Sequence, residues 1–377
     1  MTRDRLSSGV AAFLISISLR MAGVALPLLM VDAGQRVTTV GLLVGAAGVA
    51  QLSVRPFMAA LLRRWPDRRL IGLSAILLTG SIAIVLISPT FVLLLVSQLA
   101  QGAARALFWT ASQTHAVRRA ERAAGGMAWV NTWSAIGQLI GPALCGAALL
   151  VSTEVALVCA SVVAAAALVP TVLLDHIEPF PQRDRSAGGQ RVVWLRPSVF
   201  AGCWSSATAG AVEAVSGSYL ALLLVNAGNS PALAGLLISA GNIGGLAGTA
   251  VVGRIPDRWT RVLLRAATVV VAAGLALTAL GAAVVPLAVA GLIASGAGAG
   301  VLRTLGPAVA SDAVPADERG DAITATGSFR AVSLFAAPFA IGALLTAVAL
   351  PAAMVGVAVV LGLGALPGGG APKAEAA

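Results

Sequence analysis

Long apolar runs separated by short polar turns divide this chain from one end to the other. A helix that crosses a bilayer needs roughly 20 apolar residues. Twelve stretches reach that length, at about 8–30, 38–62, 70–88, 91–114, 126–150, 154–174, 198–225, 230–252, 262–281, 284–310, 322–346 and 349–366. In water such a chain has no means of covering its apolar surface. It is 58% hydrophobic and only 11% charged, where a soluble domain carries about 25% charged residues. The expectation is an all-α polytopic membrane protein with twelve transmembrane helices and the lipid bilayer as its surroundings.

The two halves of the sequence are similar. Val31-Asp32-Ala33-Gly34, followed by Gly41-Leu42-Leu43, recurs as Val225-Asn226-Ala227-Gly228, followed by Gly235-Leu236-Leu237. Arg64-Trp65-Pro66-Asp67-Arg68 recurs as Arg254-Ile255-Pro256-Asp257-Arg258, and Pro142 with Gly146 recurs as Pro338 with Gly342. Three matches in the same order, at a nearly constant offset, indicate an internal duplication. The expected organisation is a six-helix half over 1–174, a polar linker over 175–197, a second six-helix half over 198–366 and a tail over 367–377.

The basic residues orient the chain. The net charge of +10 suggests nucleic acid in a soluble protein, but here the arginines gather in one set of loops. Arg63, Arg64, Arg118, Arg119, Arg258 and Arg261 are examples, together with Arg183, Arg185 and Arg191 in the linker and Lys373 in the tail, whereas the opposite loops hold Arg36. The basic side is cytoplasmic by the positive-inside rule. This reading places both termini inside, Ser186 cytoplasmic and Ser230 external, in the plasma (inner) membrane. No cleavable signal stands out, so residue 1 is expected to remain. Cys145, Cys159 and Cys203 lie in apolar stretches and read as small core residues.

Small residues recur in the spans. Gly241, Gly244, Gly245 and Gly248 form small-xxx-small pairs, and Gly137, Gly141, Pro142 and Gly146 mark the fifth stretch. In lipid such residues permit close backbone approach; tight packing and helices that slide during a cycle are both open.

With its twelve spans and basic central loop, the sequence resembles the major facilitator superfamily along its whole length. Gly137-x-x-x-Gly141-Pro142-x-x-x-Gly146 resembles the superfamily's antiporter motif, with Cys145 where a glycine is usual. Gly253, Asp257, Arg258 and Arg261 resemble its gating motif, with Thr260 in place of the second glycine; Asp67 and Arg68 match the same motif in the first half, with Arg63 and Leu70 at the glycine positions. Gln98-Leu99-Ala100-Gln101-Gly102 is similar to its Arg-x-x-Gln-Gly, with glutamine in the arginine position. The resemblance implies a secondary active transporter working by alternating access, with proton-coupled efflux of a small organic molecule as the first reading. An importer or facilitator of a small organic anion is the alternative, and a scaffold or sensor the third.

In the resembled fold the first, fourth, seventh and tenth helices line the cavity. Here they carry Arg20, Arg105, Glu213 and Arg303. An ionisable group inside the membrane is costly and needs an explanation. Gln98, Gln101, Arg105 and Ser112 fall on one helical face with Trp109 beside them, and Ser206, Glu213 and Ser216 share another. Trp109 is either a stacking platform or core packing. Glu213 is the acidic residue well inside a span. A carboxyl that cycles between wet and dry surroundings can gain and lose a proton, so Glu213 is the candidate proton carrier with Arg20 as its partner. A permanent Glu213–Arg20 salt bridge is the other reading.

Asp67 stands either as a gate residue pairing across the halves or as a solvated loop charge. Arg55 and Arg330 either snorkel or brace an inner gate. Arg265 is expected to snorkel, and His115 and His176 to be solvated. The sole lysine, Lys373, lies in the tail, so no P-loop exists to hold a nucleotide, and no cofactor, metal or nucleic acid is expected. With no extramembrane domain and no histidine well inside a span, an enzyme is not expected. The partners expected are a small-molecule substrate and protons, and the chain is expected to act as a monomer.

Overall fold

The structure is a computed structural model that describes residues 3–35, 37–180 and 193–365. Arg36, the middle of the linker with Arg183, Arg185, Ser186 and Arg191, and the tail with Lys373 lie outside the described residues.

Among the described residues the regular structure is entirely helical. The first bundle holds α1 (Arg3–Asp32), α2 (Val37–Val54), α3 (Met58–Arg64), α4 (Asp67–Ile87), α5 (Phe91–Arg119), α6 (Ala123–Leu149), α7 (Thr153–Ala166) and α8 (Leu168–Val172). The second holds α9 (Pro197–Asn226), α10 (Pro231–Val252), α11 (Thr260–Leu280), α12 (Val285–Asp312), α13 (Arg319–Leu344) and α14 (Leu350–Gly362). By contact, the chain divides into one unit of Met1–Glu121 with Trp129–Ala187, and another of Gly188–Ala377 with the short segment Arg122–Ala128.

Nine helical segments among the described residues are long and apolar enough to cross a membrane. Of the twelve stretches read from the sequence, those over α6 and α9 fall outside that nine, and Leu350–Ala365 is a shorter apolar helix. The second stretch is not one continuous helix. It breaks at a 3₁₀ turn, Arg55–Phe57, before resuming as α3, because Pro56 has no N–H to continue the ladder. The sixth stretch likewise divides, into α7 and α8.

Each unit repeats the same internal pairings. In the first, α2 packs on α5, α4 on both α5 and α7, and α1 on α7. In the second, α10 packs on α12, α11 on both α12 and α14, and α9 on α14. The glycines set the closest of these contacts. A Cβ at Gly141 of α6 would lie 2.8 Å from the Arg20 Cβ and 2.9 Å from the Ile17 carbonyl oxygen of α1, and Gly137 meets the Phe13 carbonyl of the same helix. In α10, Gly248 faces the Ala297 backbone of α12, and Gly296 and Gly300 of α12 face the Gly241 and Gly245 carbonyls. Without a hydrophobic drive between helices in lipid, such backbone contact is the main source of attraction. Gly146 has open space beside it.

The repeated Val-Asp/Asn-Ala-Gly stretches are the same helix end built twice. Gly34 and Gly228 are the positive-φ residues among the described residues, at 77° and 94°. The Gly34 amide donates to Val31 and the Gln35 amide to the Met30 carbonyl, at 2.9 and 3.0 Å. The Gly228 amide donates to Val225 and the Asn229 amide to the Leu224 carbonyl, at 3.0 and 3.2 Å. Both cap the last carbonyls of their helix with a left-handed residue, where glycine carries no Cβ penalty.

The cysteines divide. Cys145 and Cys203 are buried as expected, but Cys159 is exposed on α7.

Candidate functional site

Several polar residues of the spans have partners within their own bundle. In the second unit, Arg330 Nη2 of α13 donates to Glu213 Oε2 of α9 at 2.5 Å. The side chains are 12% and 35% exposed. The pair forms because α9 and α13 touch at Gly210, one turn before Glu213. A Cβ there would lie 2.7 Å from the Arg330 carbonyl oxygen. Arg330 is therefore drawn into the ion pair and does not reach to solvent. On α12, Arg303 donates to Thr249 Oγ1 of α10 at 3.1 Å. Ser206 is buried and Ser216 half-buried.

In the first unit, Arg20 Nη2 donates to Gln138 Oε1 of α6 at 2.5 Å. The glycines at 137 and 141 bring that helix onto α1, and so place Gln138 beside Arg20. On α5, Gln98, Gln101 and Ser112 are buried, and Gln101 donates to Ser97 Oγ at 3.3 Å. Arg105 and Trp109 are half-buried. Trp109 packs edge-on against Phe108. Arg55 is 3% exposed, which removes the snorkelling reading for it, whereas Arg265 is exposed.

The two gating-motif copies have different surroundings. Asp67 is fully buried at the start of α4. Its partners are Arg118 Nη1, at 3.3 Å, and the His115 ring, at 3.8 Å, both on α5. Both lie in its own bundle, and the solvated reading of Asp67 is excluded. Arg68 is half-buried. In the second copy Gly253, Asp257, Arg258 and Arg261 are exposed. Arg122 holds Asp257 through Nε at 2.9 Å and Nη2 at 2.5 Å, and also donates to the Ile255 carbonyl.

His115 overturns its sequence reading. It is 1% exposed, enclosed by the first turns of α1 and α4. His176 is exposed, as expected. Sequence reasoning missed His115 because its neighbours Asp4 and Asp67 are far from it in the chain. It did not name Gln138, and it named Arg330 without its partner Glu213, because the register between two helices is not written in either one. The one available signal was that Gly137 and Gly141 flank Gln138.

A sequence profile of the Major Facilitator Superfamily matches residues 9–338. No curated protein sequence matches the chain. Among solved structures, the human organic anion transporter MFSD10 (TETRAN) is similar over 97% of this chain and 99% of its own, with a TM-score of 0.78 and 16% identity. The transporter FucP in its outward conformation is similar over 96% and 97%, with a TM-score of 0.78 and 14% identity. A bacterial homologue of the iron transporter ferroportin, outward-facing, is similar over 97% and 98%, with a TM-score of 0.73 and 14% identity. At these identities the likeness concerns the fold.

Proposed function

Since the chain belongs to the Major Facilitator Superfamily and is on that account a multi-pass membrane transporter, we propose that it is a secondary active transporter that exports a small organic molecule against proton entry, by alternating access. The observation that carries this reading is the Glu213–Arg330 pair. A carboxylate in an apolar helix is costly unless its charge does something there. A group that can be released from its arginine and take up a proton supplies a coupling step. In this reading Glu213 is the proton carrier, Arg330 holds it when no proton is bound, and Arg20, Gln98, Gln101, Arg105, Trp109, Ser216 and Arg303 line the substrate path. Gly137, Gly141 and Pro142 supply a close-packed helix pair. The chain spans the inner membrane twelve times as a monomer, with six helices on each side of the linker and both termini cytoplasmic. Asp67, Arg68, Asp257 and their neighbours form the inner gate.

A second reading is import or facilitated passage of a small organic anion. It is favoured by three arginines, Arg20, Arg105 and Arg303, on α1, α5 and α12, and the similarity to an organic anion transporter points the same way.

Sealed proteoliposomes separate the two readings. A panel of radiolabelled organic cations, neutral compounds and carboxylates is offered with and without an imposed pH gradient. Uphill movement that follows the gradient and is lost in Glu213→Gln, while exchange without a gradient survives, supports the exporter. Carboxylate flux indifferent to the gradient supports the second reading and sinks the first.

A further inference from the structure

His115 has a carboxylate at each ring nitrogen. Nε2 lies 3.1 Å from Oδ1 and 3.3 Å from Oδ2 of Asp4. Nδ1 lies 3.8 Å from Oδ2 of Asp67 and, although buried, is within hydrogen-bonding distance of no acceptor. The three side chains are 1%, 6% and 0% exposed. A neutral imidazole has one N–H and one lone pair. With the proton on Nε2, the lone pair of Nδ1 faces the Asp67 carboxylate. With the proton on Nδ1, the lone pair of Nε2 faces both oxygens of Asp4. With both carboxylates ionised, either neutral tautomer turns a lone pair towards an anion in a site with little water. The imidazolium alone offers a donor to each side.

We propose that His115 is a proton-binding site, separate from Glu213, and that the bound proton fastens the first turns of α1 and α4, and the chain leaving α8, onto the end of α5. The proton comes from water to the ring, where it completes the second N–H and draws Asp67 in from 3.8 Å.

The other charges around the ring fit this switch. On α5 itself, Arg118 lies 3.3 Å from Asp67 and Arg119 lies 3.7 Å from Asp4. Both arginines have a second place to go: Arg118 donates to the Glu178 carbonyl at 2.6 Å, and Arg119 pairs with Asp175. Asp175 also takes Arg3 of α1 at 3.5 Å. When His115 is charged, the two buried carboxylates belong to the ring and the arginines turn towards residues 175–178. When it is neutral, the arginines must serve both. Asp4 ties the linker in directly, since the Asp175 amide donates to its Oδ1 at 2.8 Å.

The chain has two histidines, which makes the test clean. Imidazole nitrogen and carbon shifts of the full-length protein in nanodiscs give two signals, assigned by His176→Gln. The expected result is that the His115 ring passes from one N–H to two as the pH is lowered across the range in which the protein stays folded. As the ring becomes charged, the exchange of the Asp175 amide, corrected for its intrinsic rate, slows by about tenfold, because the imidazolium fixes the Asp4 carboxylate to which this amide already donates. His115→Gln makes that exchange insensitive to pH. A ring that stays in one state across the range overturns the proposal, and so does an Asp175 amide whose pH response is the same in His115→Gln. If the variant does not fold, the ring signal of the wild-type protein decides alone. Neither readout needs a transported solute, so the result stands apart from the transport reading.

Discussion

Glu213 and Arg330 meet at 2.5 Å because residue 210, one turn away, is a glycine. The ion pair and the helix contact are thus one construction, and each can be broken separately. Removing one member of a partly buried pair costs more than removing both, since the remaining charge loses its counterpart. Arg330→Gln is expected to lower stability by about 1–3 kcal/mol. Glu213→Gln/Arg330→Gln should lie closer to wild type than the sum of the two single changes. Thermal melting of the four proteins in detergent closes the cycle; strictly additive values would mean that the pair contributes no coupling.

The glycines of α6 provide a contrast within one motif. Gly141 is in contact with Ile17 and Arg20, while Gly146 faces open space. Gly141→Val should cost about 1–3 kcal/mol through overpacking against α1 and should disturb the Arg20–Gln138 bond. Gly146→Ala should leave the melting temperature unchanged or slightly raised. Equal effects at the two positions would refute the packing assignment.

Asp67 and Asp257 occupy matching places in the two repeats, yet one is fully buried and the other side chain is 71% exposed. Asp67→Asn leaves Arg118 facing a neutral group inside the bundle, and is expected to cost about 2 kcal/mol or more. Asp257→Asn breaks a surface pair with Arg122 worth about 0–1 kcal/mol, an effect that added salt should erase. Melting curves at low and high ionic strength distinguish them. A large, salt-insensitive loss at Asp257 would show that its pair with Arg122 is not a surface pair.

The two helix ends at Gly34 and Gly228 should respond alike. Alanine at either forces a side chain into the left-handed region, at a cost of about 1–2 kcal/mol. Paired melting measurements check this, and a neutral substitution at either site would mean that the turn relaxes without its left-handed residue.

The legible features in the sequence were those that one segment carries by itself. Apolar length gave the helical membrane class, and the repeated turns at residues 31–34 and 225–228 gave the duplication. Gly141 announced a close helix contact without saying to which helix. Pro56 announced the break after α2, although the apolar run around it read as one span. The pairings were not legible. Glu213 and Arg330 are brought together by the rotation of α13 against α9, which no periodicity in either helix specifies. His115 stands near the polar end of α5 and so resembles a solvated loop histidine. Burial comes to it from α1 and α4, whose polar first turns close over it.

The paired ends at Gly34 and Gly228 also bear on how such a chain can diverge. The bonds that the Gly34 and Gly228 amides make run from backbone to backbone, so Asp32 and Asn226 can stand at the matching place of the two copies without altering them. What cannot change is the glycine and its distance from the helix before it. An inserted or deleted residue at either corner would move the left-handed glycine away from the carbonyls it caps, so the two corners fix where each helix ends and the next begins.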